Sequence, residues 1–146
     1  MDAPAAWARG RLPDGDGRVV SLDINGLALD CTVPAGDGEP DGVTSFGLLA
    51  ASLSSCTAMS VRTFLHRFDL DSATVEVDVA LEAGPPPVLH RRVGLAADLD
   101  ADARAQLAAV VDSTPVTVLL RDALVIVTHL EVGAGPQLEV DSASTS

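Results

Sequence analysis

Apolar positions recur along this chain in two periods, and the switches between them predict the order of elements. Between Arg18 and Val33, Val20, Leu22 and Ile24 alternate with polar residues, and Leu27, Leu29 and Cys31 alternate on the return. Asn25-Gly26 between them suits the two positive-φ positions of a type I′ turn, so the stretch predicts a hairpin. Cys31 falls on its apolar face, where a small buried hydrophobe fits. Pro34 to Gly42 has the composition of a loop. A helix follows, capped by Thr44 or Ser45 and running to about Phe68, roughly 25 residues and about 37 Å long. Ala50, Ala51, Ser52, Ser54, Ser55, Thr57, Ala58 and Ser60 are small on most of its sides, which lets neighbouring backbones approach and marks the helix as central. Charge enters it only with Arg62, His66 and Arg67, where cations favour the helix dipole.

Period-2 patterning then returns. Val75, Val77, Val79 and Leu81 predict one strand, and Leu89, Arg91, Val93, Leu95 and Ala97 share a face of the next, across Gly84-Pro85-Pro86-Pro87. Asp100 to Asp112 predicts a second helix with Leu107, Val110 and Val111 on one side. Ser113-Thr114-Pro115 leads to a helical turn, and Leu124 to Val132 predicts a last strand. Strands arriving in runs, with helices between the runs, define an α+β fold. One domain over residues 1–132 and a polar, disordered tail over 133–146 are expected.

Composition narrows the function classes. All nine cations are arginines and the net charge is −12, which repels phosphate backbones and anionic lipid surfaces, so nucleic acid is excluded as a partner. No window offers the roughly 20 uncharged apolar residues of a membrane span, and no signal peptide is seen at the start. A cytoplasmic location is therefore expected. A mean hydropathy of +0.30 with 47% hydrophobic residues suggests buried surface beyond one core, as at a subunit interface.

The chemistry-bearing residues are few. Cys31 and Cys56 are the two cysteines, without the spacing of a metal site. Cys56 lies mid-helix with Ser52, Leu53, Met59 and Ser60 as its helical neighbours, so it must borrow positive charge from another element to act as a nucleophile. His66, His90 and His129 sit on separate elements at surface positions, and no cofactor is expected. The helix serines read as packing residues satisfied by carbonyls one turn back. Arg91-Arg92 reads as a two-residue basic spot.

Residues 48–62, Leu-Leu-Ala-Ala-Ser-Leu-Ser-Ser-Cys-Thr-Ala-Met-Ser-Val-Arg, resemble the central-helix signature of the OsmC/Ohr family of osmotically inducible and organic-hydroperoxide-resistance proteins. Asp16-Gly17-Arg18 before the hairpin, and Thr114-Pro115-Val116-Thr117 where the family often has Cys-Pro, extend the similarity. The resemblance implies an OsmC-like fold, antiparallel sheets packed on a long central helix, in an intertwined homodimer with sites at the interface. It implies that Cys56 is the peroxidatic cysteine, attacking an organic hydroperoxide in a pocket that includes Phe46, Met59 and Thr114. The family's resolving cysteine falls on Thr114, and its glutamate on Gly47 or Phe46. Its activating arginine falls on Gly15, or on Arg11 if Leu12 to Gly15 is an insertion; Arg18 and an arginine of the partner chain stay open. The leading expectation is a peroxide-defence protein, a thiol-dependent hydroperoxide reductase using Cys56 alone, with an external thiol reductant or Cys31 as resolver. The alternative is a non-catalytic dimer that binds a small apolar or electrophilic ligand in the same pocket.

Overall fold

The computed structural model describes residues 6–15, 17–32 and 42–133. They form two compact units, Met1–Leu49 and Ala50–Ser146, and the boundary falls inside the long helix. The predicted loop from Pro34 lies outside the described residues up to its last one, Gly42; so does the predicted tail beyond Gly133.

In the first unit, β1 (Ala8–Arg11), β2 (Val19–Ile24) and β3 (Leu27–Thr32) make an antiparallel sheet in that order. The predicted hairpin is β2–β3, with Ile24 opposite Leu27. Its turn is built as the residue types require: Asn25 has φ 51° and Gly26 φ 91°, and the Gly26 amide donates to the Asp23 carboxylate at 2.7 Å. Cys31 is buried as expected, its sulfur 3.8 Å from the Ser45 hydroxyl.

The long helix, α1, spans Ser45–His66, 22 residues. Thr44 caps it, accepting from the Gly47 amide at 3.0 Å. By length and composition alone this helix is long and apolar enough to cross a membrane, which corrects the expectation that no window approaches that limit. Yet Leu53, Thr57, Val61, Phe64 and Leu65 on it are buried within the protein. Its end comes two residues before the predicted Phe68. Asp69 turns left-handed at φ 57°, and the Leu70 amide reaches back to the Leu65 carbonyl at 3.1 Å, which uses up an open helix-end acceptor. The Arg62 guanidinium then ties the following loop to the helix through the Asp71 and Ala73 carbonyls.

The second unit is built on β4 (Val75–Glu82), β5 (Val88–Ala96) and β6 (Val125–Gly133), with β5 in the middle. β4 and β5 pair antiparallel, but β5 and β6 pair parallel, so the expectation of purely antiparallel sheets is corrected here. The cause is the crossover. A parallel neighbour needs a long connection, and α2 (Ala101–Asp112) with α3 (Pro115–Leu120) supplies it. Asp100 caps α2, accepting from the Ala103 amide at 2.8 Å. The core joins Val61, Phe64 and Leu65 of α1 to Val93 and Leu95 of β5 and to Leu107 and Val111 of α2.

Two of the helix serines are placed differently from expectation. Ser54 does not bond its own helix; it donates to the Val77 carbonyl of β4 at 2.8 Å and docks α1 on the sheet. Ser55 bonds the Ser52 carbonyl, three residues back instead of four.

Core burial of this kind stabilises by roughly 1.5–3 kcal/mol per large apolar side chain, and truncation also leaves a cavity. Phe64→Ala is expected to lower unfolding free energy by about 3–5 kcal/mol in urea titrations. Asp100→Ala, which removes one cap, is expected to cost about 1 kcal/mol. A Phe64 variant as stable as the parent would contradict the core assignment.

Candidate functional site

Cys56 lies near the middle of α1, half-buried, and both cysteines of the chain are free thiols. The next residue, Thr57, is fully buried, and its hydroxyl accepts a hydrogen bond from Nη1 of Arg91 at 3.1 Å. Arg91 is the residue that the sequence pattern did not single out. Far from being part of a surface basic spot, its side chain is completely buried, because the strand alternation puts it between Leu89 and Val93 on the core face of β5. Arg92 points the other way and donates to Asp78 and Glu131. The signal was visible in the alternation itself: an arginine in an apolar register needs an explanation that a charge pair on a surface does not.

The guanidinium is held almost wholly by hydroxyls. Nη1 also donates to Thr117 Oγ1 of α3 at 2.7 Å, while Nε and Nη2 donate to Thr128 Oγ1 of β6 at 3.2 and 2.9 Å. Thr114 and Thr117 are both buried, with their hydroxyls 2.6 Å apart, and Thr117 also reaches the Val111 carbonyl at 3.5 Å. Thus four elements, α1, α3, β5 and β6, meet at one cation. Among the described residues its nearest carboxylate is Asp112, 3.9 Å from Nη2 and 74% exposed. That separation is beyond a hydrogen bond. Burial pushes the Arg91 pKa below its ordinary value; the Asp112 carboxylate and then the Cys56 thiolate act in the opposite direction.

An open depression of about 390 Å³ adjoins this cluster, lined by Arg91, Asp112, Thr117, Arg121 and the apolar run Leu124 to Ile126. Arg121 donates to the backbone carbonyl of Asp112, which fixes the rim.

The residues singled out from the sequence fall in three places. Cys56 and Thr114 both border the Arg91 cluster, one through its neighbour Thr57 and the other through Thr117. Met59 is on α1 too, but is 70% exposed. Arg11, at the end of β1 opposite Ser21, and Phe46, in the first turn of α1, are exposed residues of the first unit. Phe46, Met59 and Thr114 do not line the depression beside Arg91. His66 and His90 pair on the surface with Asp71 and Glu82, and no cluster of metal ligands occurs among the described residues.

These features define an α+β protein organised on a thiol-bearing central helix, and comparison with known proteins narrows the class. The chain belongs to the OsmC-like protein family, whose model matches residues 36–129. Solved structures agree in fold. An organic hydroperoxide resistance protein OsmC from Legionella pneumophila superimposes with a TM-score of 0.62 at 17% identity, covering 91% of this chain and 99% of that one. The organic hydroperoxide resistance protein OhrB of Bacillus subtilis gives 0.60 at 19%, covering 88% and 97%. An organic hydroperoxide resistance protein from Elizabethkingia anophelis gives 0.63 at 17%, covering 90% and 97%. No curated protein sequence matches significantly.

The cluster makes a stability prediction. Removing one hydroxyl leaves a buried guanidinium N–H unpaired, whereas removing the cation as well removes that penalty. Thr117→Val is expected to cost about 1.5–3 kcal/mol in the parent. In an Arg91→Met background the same change is expected to cost under about 1 kcal/mol, and equal costs in both backgrounds would show that the two side chains are not coupled.

Proposed function

We propose that this protein takes part in peroxide defence as a thiol-dependent hydroperoxide reductase that uses Cys56 as its single nucleophile. The observation that carries the reading is the free, half-buried Cys56 thiol, one residue before the threonine that accepts from buried Arg91, on the helix that the OsmC-like family model covers. The Legionella, Bacillus and Elizabethkingia proteins are all named for organic hydroperoxide resistance, which supports an organic hydroperoxide as the substrate class here.

In the step envisaged, the Cys56 thiolate attacks the terminal peroxide oxygen. The S–O bond forms as the O–O bond breaks, and the departing alkoxide takes a proton from water and leaves as the alcohol. The sulfur is oxidised by two electrons to sulfenic acid. Thr114 carries a hydroxyl and closes no disulfide, so an external thiol attacks the sulfenic sulfur, releasing water and leaving a mixed disulfide. A second thiol then regenerates Cys56. Two copies of this chain, forming a homodimer, are the expected assembly; exposed Met59, Val118 and Leu119 are apolar surface for such contact.

A second reading is favoured by the depression beside Arg91. Its apolar strip, Leu124 to Ile126, next to Arg91 and Arg121 suits binding of a small apolar or electrophilic molecule without turnover.

Intact-mass kinetics with an organic hydroperoxide separates the two. The reductase reading predicts rapid gain of one oxygen on Cys56, reversal by added thiol with repeated turnover, loss of both in Cys56→Ser, and retention in Cys31→Ser. Oxidation no faster than that of an ordinary free cysteine would falsify it.

A further inference from the structure

We infer that the open depression beside α3 is a binding site for a small monocarboxylate with an apolar tail, its head between Arg91 and Arg121 and its tail on Leu124, Val125 and Ile126. The inference rests on the reading that the depression takes a small ligand. It needs neither turnover nor Cys56, which is not among the lining residues.

The argument begins with a count of donors. A guanidinium carries five N–H groups. In Arg91 the two on Nη1 go to Thr57 and Thr117, while Nε and one N–H of Nη2 share Thr128 Oγ1. The second N–H of Nη2 has no acceptor among the described residues. An unpaired donor on a buried cation is costly, and native proteins leave few of them. Nη2 is also the nitrogen nearest Asp112, and Arg91 and Asp112 both line the depression, so the spare donor lies on that side.

Asp112 does not fill the gap. Its carboxylate stops 3.9 Å short and is 74% exposed. It ends α2, where an acid meets the negative end of the helix dipole, so helix stability does not account for it. A carboxylate so exposed turns outward into water at little cost, and a ligand carboxylate takes its place beside Nη2. Arg121 stands exposed at the rim, where one nitrogen donates to the Asp112 carbonyl and the other donors have no acceptor among the described residues.

Charge then selects the ligand. The lining residues carry two guanidinium groups and one carboxylate, which leaves one positive charge. A monoanion neutralises it, whereas a phosphate dianion overshoots it. A carboxylate also offers an oxygen to each guanidinium, the geometry in which such hydrogen bonds are strong. The net charge of −12 opposes anions at long range, but exposed charges beyond about 8 Å are screened at physiological salt. Leu124, Val125 and Ile126 wall the depression beside these cations, and Val125 is 48% exposed, so a short alkyl chain removes apolar surface from water there. A volume of about 390 Å³ is within the range of small-molecule sites.

The test is calorimetric titration of the full chain with hexanoate at fixed ionic strength. Two controls run beside it: 1-hexanol keeps the tail without the charge, and acetate keeps the charge without the tail. Saturable hexanoate binding is expected, roughly ten-fold or more tighter than that of either control. Arg121→Gln is expected to weaken it roughly ten-fold, and Asp112→Asn, which removes the competing charge, to tighten it several-fold. Arg104→Gln, on an arginine that reaches the Val132 carbonyl at the other end of β6, is expected to leave the affinity in place. Arg91→Met is expected to abolish binding; if it does not fold, the two variants at exposed Arg121 and Asp112 decide. Hexanoate affinity unchanged in both of those overturns the inference. Hexanol binding as tightly as hexanoate overturns the anionic class while leaving the apolar-ligand reading in place. Acetate binding as tightly means an adventitious ion only and overturns the tail site. Saturable binding of none of the three overturns the inference together with the reading on which it rests.

Discussion

A guanidinium shut away from water must find acceptors for its five N–H groups, or the surrounding structure gives way. In this protein that constraint falls on Arg91, and much of the second unit is arranged to meet it. Its acceptors come from α1, α3 and β6, while the residue itself belongs to β5. Thr57 and Arg91 lie 34 positions apart and Arg91 and Thr117 26, so the cluster draws together distant parts of the chain. The cluster therefore requires the parallel β5–β6 pairing, the crossover through α2 and α3, and the docking of α1 to be formed together. A buried polar network is a poor source of raw stability, since an apolar set of the same shape often does as well. It does specify one arrangement, and so does the apolar face it sits on: a slip of β5 by one residue would turn Leu89, Val93 and Leu95 away from the core.

The same arrangement places chemistry. Thr57 is bound to the cation and Cys56 precedes it, so whatever holds the guanidinium also fixes the part of α1 that bears the thiol. The small residues along that helix matter for the same reason. Ser54 donates to the Val77 carbonyl, and that contact seats the helix on the sheet. Arg91 is shielded from water, so its charge is screened less than a surface charge would be.

Much of this was legible in the chain. The Asn25-Gly26 turn, the caps at Thr44 and Asp100, and the 3.6- and 2-residue periods report local physics, so the elements they predicted fell within a few residues of their places, while β1, which has no such pattern, was not foreseen. The central-helix pattern pointed to Cys56, and its family is the one that the matching model shows. What the chain did not disclose was tertiary. Arg91 stood on the apolar face of its strand in plain view, but its acceptors are three threonines spread over about 70 positions of sequence, and neutral hydroxyls carry no pattern that marks them as a set. Nor did periodicity reveal that β6 runs parallel to β5, since alternation has no direction.

The central claim is that the Arg91 guanidinium is buried and held by the hydroxyls of Thr57, Thr117 and Thr128. Side-chain NMR of ¹⁵N-arginine protein addresses it directly, in the parent and in Thr117→Val. Arg91 Nε and Nη protons are expected to be protected from exchange with water in the parent and to exchange faster in Thr117→Val, while those of Arg92 stay as they were. Arg91 protons that exchange freely in the parent, or that ignore the loss of the Thr117 hydroxyl, would contradict it.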